Sequence, residues 1–181
     1  LTFDEDRNVF VPKADNSAQI CVGSCGGDFE LDEIIKNLSN KLKNFLNISQ
    51  TDFEDIILEN DKETSKRNIW LLPSDKPTGK TKPFVDYQND ATAKDIKLAL
   101  REGFRSIEHV KRYTTTGMGT DQGKLGNMHA LGIIADTAGV EMGKLGTTTF
   151  RPPYTPLTFG TIVGRNVRKF FDTFRRTPMN D

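Results

Sequence analysis

The chain has 181 residues, 35% of them hydrophobic, which suits one domain or slightly more with a modest core. Its 25 basic and 25 acidic residues cancel, which argues against a global pull toward nucleic acid or membrane. No apolar run is long enough to span a bilayer and no secretory signal is visible. Cys21 and Cys25 are too far apart for a redox CxxC pair and read as reduced, buried residues of a cytoplasmic protein.

Leu1–Pro12 alternates weakly around Val9, Phe10 and Val11 and predicts a strand or hairpin arm. Ala18–Val22 is a short apolar run that ends in Gly23-Ser24-Cys25-Gly26-Gly27-Asp28. A helix is expected over Asp32–Leu46, where Ile34, Ile35, Leu38, Leu42, Phe45 and Leu46 recur at helical spacing. Strand, glycine turn and helix form a βα order that brings backbone N–H groups near a dinucleotide. A tight structural turn accounts for the same residues, since GSCGGD is not GxGxxG. Asn47–Arg67 is polar around Phe53, Ile56, Ile57 and Leu58 and reads as an excursion or linker. Asn68–Pro73, with the only Trp, reads as a short strand, and Ser74–Pro83 as a solvated loop.

Phe84–Tyr87 is expected to be a second short strand. Thr92 then caps a helix over Ala93–Phe104 with an apolar stripe of Ile96, Ala99, Leu100, Gly103 and Phe104. Ser106 caps a short helix to Tyr113, and a third helix is expected from about Gln122 to Ala138, with Leu125 on its apolar side. The prolines at 152, 153 and 156 make Gly146–Pro156 extended, and a last helix is expected over Phe159–Phe174. The fold class is α+β: a small, mainly helical module with short strands, preceded by a βα remnant.

The densest chemistry lies in Lys111–Gly126, KRYTTTGMGTDQGKLG. It sets two adjacent cations, four threonines and four glycines ahead of and into a helix. Fixed positive charge, hydroxyl donors and bare N–H groups at a helix N-terminus suit a phosphate. It is not a Walker A loop, because no Gly-Lys-Ser/Thr follows at the required spacing. A solvated helix end explains the Lys-Arg pair equally simply. His109 and His129 belong to no nucleophile motif, and no zinc-ligand set is present.

The stretches FVDYQNDATAKDIKLALREGFRSIEHVKRYTTTGMGTDQGKLGN and GTTTFRPPYTPLTFGTIVGR closely resemble the alpha subunit of heterotetrameric sarcosine oxidase, over Phe84–Asp181. Phe3–Leu46 resembles, more weakly, the end of that subunit's dinucleotide-binding domain. RRTPMND resembles the entry to its folate-binding domain. The resemblance implies a middle piece of a longer subunit, divided as 1–46 (dinucleotide-domain remnant), 47–83 (linker), 84–139 (helical module) and 140–181 (extended arm and helix).

It implies a complex that demethylates sarcosine oxidatively to glycine, makes hydrogen peroxide and passes a one-carbon unit to tetrahydrofolate, with beta, gamma and delta subunits as partners. FMN would lie at the alpha–beta interface. NAD would bind only in the full subunit, and FAD and zinc elsewhere in the complex. The FMN contacts carried over are Lys111, Arg112, Thr115, Thr116, Gln122 and Arg151, with Gly23, Ser24 and Gly27 as dinucleotide contacts. Ferredoxin-like modules of related dehydrogenases hold a [2Fe–2S] cluster on four cysteines. The matching positions here are Asp86, Gln88, Asp121 and Gly126, so no Fe–S cluster is expected.

Two readings of other classes stay open. One is a small nucleic-acid-binding module using Lys111, Arg112 and Lys124, which zero net charge and the lack of a basic, aromatic stripe oppose. The other is an assembly module of a flavin-dependent amine or opine dehydrogenase complex, with TFRPPYTPLTFG as a docking arm.

Overall fold

A computed structural model describes residues 1–13, 19–48, 68–77, 80–166 and 178–179. The chain divides into two units, Leu1–Asp75 with Leu131–Gly146, and Lys76–Ala130 with Thr147–Asp181. The apolar cluster at Phe53–Leu58 lies outside the described residues, as do Val167–Phe174 of the expected last helix.

The first unit opens with the expected hairpin. Strands β1 (Thr2–Asp4) and β2 (Val9–Val11) pair antiparallel, with Phe3 opposite Phe10. Their rings lie 4.9 Å apart, an aromatic cross-strand pair of the kind that stabilises short ribbons. A 3₁₀ turn, Gly23–Gly26, leads into α1 (Leu31–Leu46), which ends where Asn47 turns left-handed. Of the apolar run Ala18–Val22 expected to be the strand, Gln19 forms an isolated β-bridge and Ile20–Val22 no strand, Ala18 lies outside the described residues, and a glycine turn and a helix follow. Cys21 is half-buried and Cys25 exposed, its thiol 3.1 Å from the Val22 carbonyl, rather than both being buried.

Asn68–Pro73 is likewise not a strand. Trp70 instead lays its ring against Gly132, where any Cβ would collide with the indole. That glycine sits in α4 (Asn127–Ala138), flanked by Leu131, Ile133, Ile134 and Ala135, all buried. A glycine inside a helix costs about 1 kcal/mol relative to Ala, and here the tryptophan supplies the reason for it. The short α5 (Met142–Leu145) follows, with Gly143 against Phe3.

In the second unit, β3 (Phe84–Asp86) pairs antiparallel with β4 (Ala91–Thr92), with an irregularity between Phe84 and Asp86. Helix α2 (Ala93–Arg101) starts on the predicted Thr92. Thr92 and Asp95 cap one another's backbone, a capping box that satisfies two N–H groups otherwise left over. Ala93, Ile96, Ala99 and Leu100 of α2 and Ile107 and Val110 of α3 (Ile107–Thr114) are buried. Residues 147–157 form neither helix nor strand, with bends at Pro152, Tyr154 and Thr155, as prolines that exclude a regular helix allow, and α6 spans Phe159–Val163. The architecture is a small α+β fold.

Candidate functional site

The site is built around the end of α3. The helix stops because Thr115 adopts a left-handed conformation with φ 61°, followed by Gly117 at φ 73°. Glycine takes that conformation freely; a β-branched residue does so only against strain. Lys111 and Arg112 occupy the last helical turn, where positive charge also complements the helix dipole.

The two cations share one carboxylate but differ in access. Lys111 Nζ and Arg112 Nη2 each lie 3.9 Å from Glu108 Oε2. The Lys111 side chain is only 14% exposed and donates to the Thr149 carbonyl at 3.2 Å, whereas that of Arg112 is 59% exposed. Glu108 also accepts the Thr149 N–H at 2.6 Å, so the arm starts clamped on both its main-chain groups.

Further along, Gln122 holds the arm again. Its Nε2 donates to the carbonyls of Arg151 (2.9 Å) and Pro153 (2.8 Å), and its Oε1 accepts the Arg151 N–H (2.7 Å). Lys124 donates to the Tyr154 carbonyl at 2.6 Å, with its ammonium 4.0 Å from the centre of the Tyr154 ring. Gln122 therefore grips main chain and does not stand at a helix N-terminus, since α4 begins only at Asn127. Arg151 has its backbone fixed by that grip and is itself exposed. Leu125 falls in the turn before α4 and is 86% exposed instead of lining the helix.

The loop N–H groups expected to await a phosphate are engaged within the chain. Gly117 N–H donates to Asp86 Oδ2 at 2.7 Å, and Thr120 N–H to Gln88 Oε1 at 2.7 Å. Gly123 N–H donates to Asp121 at 3.0 Å and Gln122 N–H to the Gly119 carbonyl at 3.0 Å. Asp86 also accepts from the N–H groups of Gln88 (2.9 Å) and Asn89 (3.1 Å), while Asn89 Nδ2 donates to the Thr115 carbonyl (3.2 Å). Burial pushes the Asp86 carboxyl upward. The donors from Gly117, Asn89 and Gln88 outweigh it and hold the group below the ordinary carboxylate range. Thr116 is 3% exposed, and among the described residues its hydroxyl is the buried side-chain oxygen with no hydrogen-bond partner.

Asp86, Gln88, Asp121 and Gly126 do not fit a thiolate-held cluster. Three are hydrogen-bond acceptors already engaged by the loop. A Cβ on Gly126 would lie 2.5 Å from the Val85 carbonyl oxygen, leaving no room for a side chain. Among the described residues no group of three or more His, Cys, Asp or Glu could hold a metal ion, and no helix is long and apolar enough to cross a membrane. His109 and His129 are exposed.

In the first unit, Gly23 and Ser24 lie in the 3₁₀ turn, and Gly27 closes it at φ 95°. The turn is satisfied internally: Gly27 N–H donates to the Ser24 carbonyl and Asp28 N–H to that of Gly23. The Lys41 ammonium fastens the chain just before the turn by donating to the Cys21 carbonyl at 2.6 Å.

Glu108, Asp86 and Asn89 are the contributors that reading for a phosphate motif overlooks. Glu108 is legible as the acid three and four residues before the cations on one helix face. Asp86 and Asn89 are legible as an Asx turn closing the β3–β4 connection.

The fold and site together define a small α+β module with a side-chain-stapled loop and a main-chain-clamped arm. Residues 80–165 match the family described as the Sarcosine oxidase A3 domain. The chain is 50% identical over 113 residues to the sarcosine oxidase alpha chain of Rhizobium meliloti (strain 1021), covering 62% of this chain and 11% of that protein. It is 44% identical over 118 residues to the protein of the same name from Corynebacterium sp. (strain P-1), covering 63% and 12%. A subunit of the opine oxidase of Rhizobium meliloti (strain 1021) is 34% identical over 73 residues, 40% of this chain and 16% of that protein. Residues 80–165 are thus similar to the A3 domain of the sarcosine oxidase alpha subunit, and the chain spans about an eighth or less of the length of the two sarcosine oxidase relatives just named.

Proposed function

We propose that this chain serves as part of the alpha subunit of a heterotetrameric sarcosine oxidase, and that the end of α3 helps to hold FMN at the interface with a beta subunit. The reaction is the oxidative demethylation of sarcosine to glycine, with hydrogen peroxide released and the one-carbon unit passed to tetrahydrofolate. Gamma and delta subunits, FAD and zinc belong to the rest of the complex. NAD belongs to the full subunit, where Gly23, Ser24 and Gly27 are the contacts this chain would add. No Fe–S cluster takes part. When bound, FMN supplies the redox chemistry.

The observation that supports this reading is the match of residues 80–165, which include the α3–loop–arm segment, to the Sarcosine oxidase A3 domain. The geometry divides the labour among the candidate residues. Arg112, exposed at the end of α3, is the cation able to meet an anion brought by another polypeptide. Its planar fork suits a phosphate. Lys111 adds positive potential from behind while holding the arm. The unpartnered Thr116 hydroxyl is a further donor, and Thr115 sits at the bend. Gln122 contributes by holding Arg151 in place.

The test is Arg112→Ala in the full-length subunit, co-purified with its partners, with flavin absorbance measured per complex. An exposed charge-assisted contact falls at the lower end of its range, so retention should weaken about tenfold (roughly 1.5 kcal/mol). Unchanged flavin content would remove the assignment.

A second reading, a non-catalytic assembly module, is favoured by a separate observation. The clamped arm leads into Leu157, Phe159 and Ile162, which are all more than half exposed. Assembly lost on Phe159→Ser with flavin intact on Arg112→Ala would select it.

A further inference from the structure

Three side chains from one turn reach into the loop that follows α3. Asp86 ends β3, Gln88 and Asn89 lie between β3 and β4, and each bonds the backbone of Thr115–Thr120 across roughly thirty residues of sequence. Gln88 Oε1 also accepts the Thr120 hydroxyl at 2.8 Å, and it lies where any Cβ on Gly119 would fall. The Asn127 side chain fills the equivalent space beside Gly117 and Gly123, and donates to the Gln122 carbonyl at 3.0 Å. The loop is thus closed on two sides by side chains that only bare glycine backbone admits.

What this closure holds is unfavourable by itself. Thr115, at φ 61°, carries a β-branched side chain in the left-handed region, and such strain persists only where surrounding contacts over-determine it. Asn89 grips the carbonyl of that residue, and Asp86 the N–H two residues on.

We infer that Asp86 is a positioning residue, whose carboxylate, with the amides of Gln88 and Asn89, forces the strained bend at Thr115 and so fixes the end of α3 that carries Arg112. This rests on the flavin reading given above. Carboxylate is required at Asp86 because it faces donors only: the N–H groups of Gly117, Gln88 and Asn89 and the Asn89 amide. An asparagine there would set its own NH₂ against one of them.

The experiment uses the full-length subunit with its cofactors and partners as purified, and compares Asp86→Asn, Arg112→Ala and the double variant Asp86→Asn/Thr115→Gly. Hydrogen exchange by mass spectrometry reads the loop, and visible absorbance reads the flavin. Asp86→Asn is expected to speed exchange in 115–120 at least about tenfold, the equivalent of one charge-assisted hydrogen bond, and to lower flavin content. The double variant is expected to regain protection in part, because glycine adopts a positive φ without strain. A merely structural loss of packing would gain nothing from that second change, and the double variant also keeps the test alive should Asp86→Asn alone fold poorly. Unchanged exchange in Asp86→Asn overturns the inference. Faster exchange with wild-type flavin content, while Arg112→Ala has lost its flavin, overturns it and leaves the flavin reading standing. Wild-type flavin in both single variants overturns that reading and this inference with it.

Discussion

Gln122→Ala tests the clamp directly, because one side chain makes three main-chain bonds to the arm, at 2.9, 2.8 and 2.7 Å. A neutral hydrogen bond contributes about 0.5–1.5 kcal/mol net, and these lie near solvent, so the low end applies and the three together give about 1.5 kcal/mol. Freeing the glutamine returns part of its rotamer entropy, which leaves roughly 1 kcal/mol favouring the docked arm. That is about a fivefold change in the docking equilibrium. The Arg151 amide is the reporter, since it donates to Gln122 Oε1 while the two prolines after it have no N–H. Its hydrogen exchange should quicken about fivefold in the variant. Lys111, Glu108 and Lys124 still hold Thr149 and Tyr154, so the arm as a whole stays docked. Gln122→Glu sharpens the test. It retains an acceptor for Arg151 N–H but turns an oxygen toward two carbonyls, and it should release the arm at least as much as alanine. Wild-type exchange at Arg151 in Gln122→Ala, or better protection in Gln122→Glu, would refute the reasoning.

Two further predictions concern the loop. The Asp86 carboxyl titrates below its ordinary 3.8 when folded, so its contribution is complete above that value and is lost as the pH falls through the lower folded value. The difference in melting temperature between wild type and Asp86→Asn should therefore be largest above pH 4 and shrink on acidification below the ordinary carboxylate pKa; a difference that grows in acid contradicts the sign. Gly126→Ala places a methyl 2.5 Å from the Val85 carbonyl oxygen, a backbone atom that yields only if β3 shifts. Such overpacking costs about 1–3 kcal/mol and should lower the melting temperature by several degrees, whereas an unchanged value would mean that β3 moves freely.

Legibility in the sequence falls with the distance between partners. Helix α2 can be read nearly whole, because Thr92 and Asp95 form a local cap and the stripe Ile96, Ala99, Leu100 has helical spacing. The start of α4 lies five residues later than its composition suggests. Gln122–Gly126 carry helix-compatible residues, but the Asp121 carboxylate takes the Gly123 N–H and Gln122 turns left-handed at φ 53°. Asn68–Pro73 has strand composition, yet a strand needs a pairing partner, and Trp70 packs on Gly132 instead. The candidate residues stand out in the sequence, but their contacts do not. Lys111 and Gln122 meet carbonyls 38 and 29 residues away, and nothing local to either residue announces that partner.

Helical geometry explains why two adjacent cations have different tasks. Successive residues on a helix point about 100° apart, so Lys111 and Arg112 cannot both face the arm. Glu108 lies three residues before one and four before the other, within reach of both. Its carboxylate keeps the pair together while the arm covers only Lys111. A half-buried ammonium beside a carboxylate and a carbonyl is already compensated and gains little from a further anion. The guanidinium of Arg112 retains its exposure and a weak, solvent-screened partner, so it can be recruited at small cost. The clamp on residues 149–154 thereby leaves Arg112 as the more accessible cation of the pair, the one that the FMN phosphate proposed above would engage. Reversing the two residues, as Lys111→Arg with Arg112→Lys, should keep the net charge but weaken flavin retention, because it places the fork under the arm and the point charge outside.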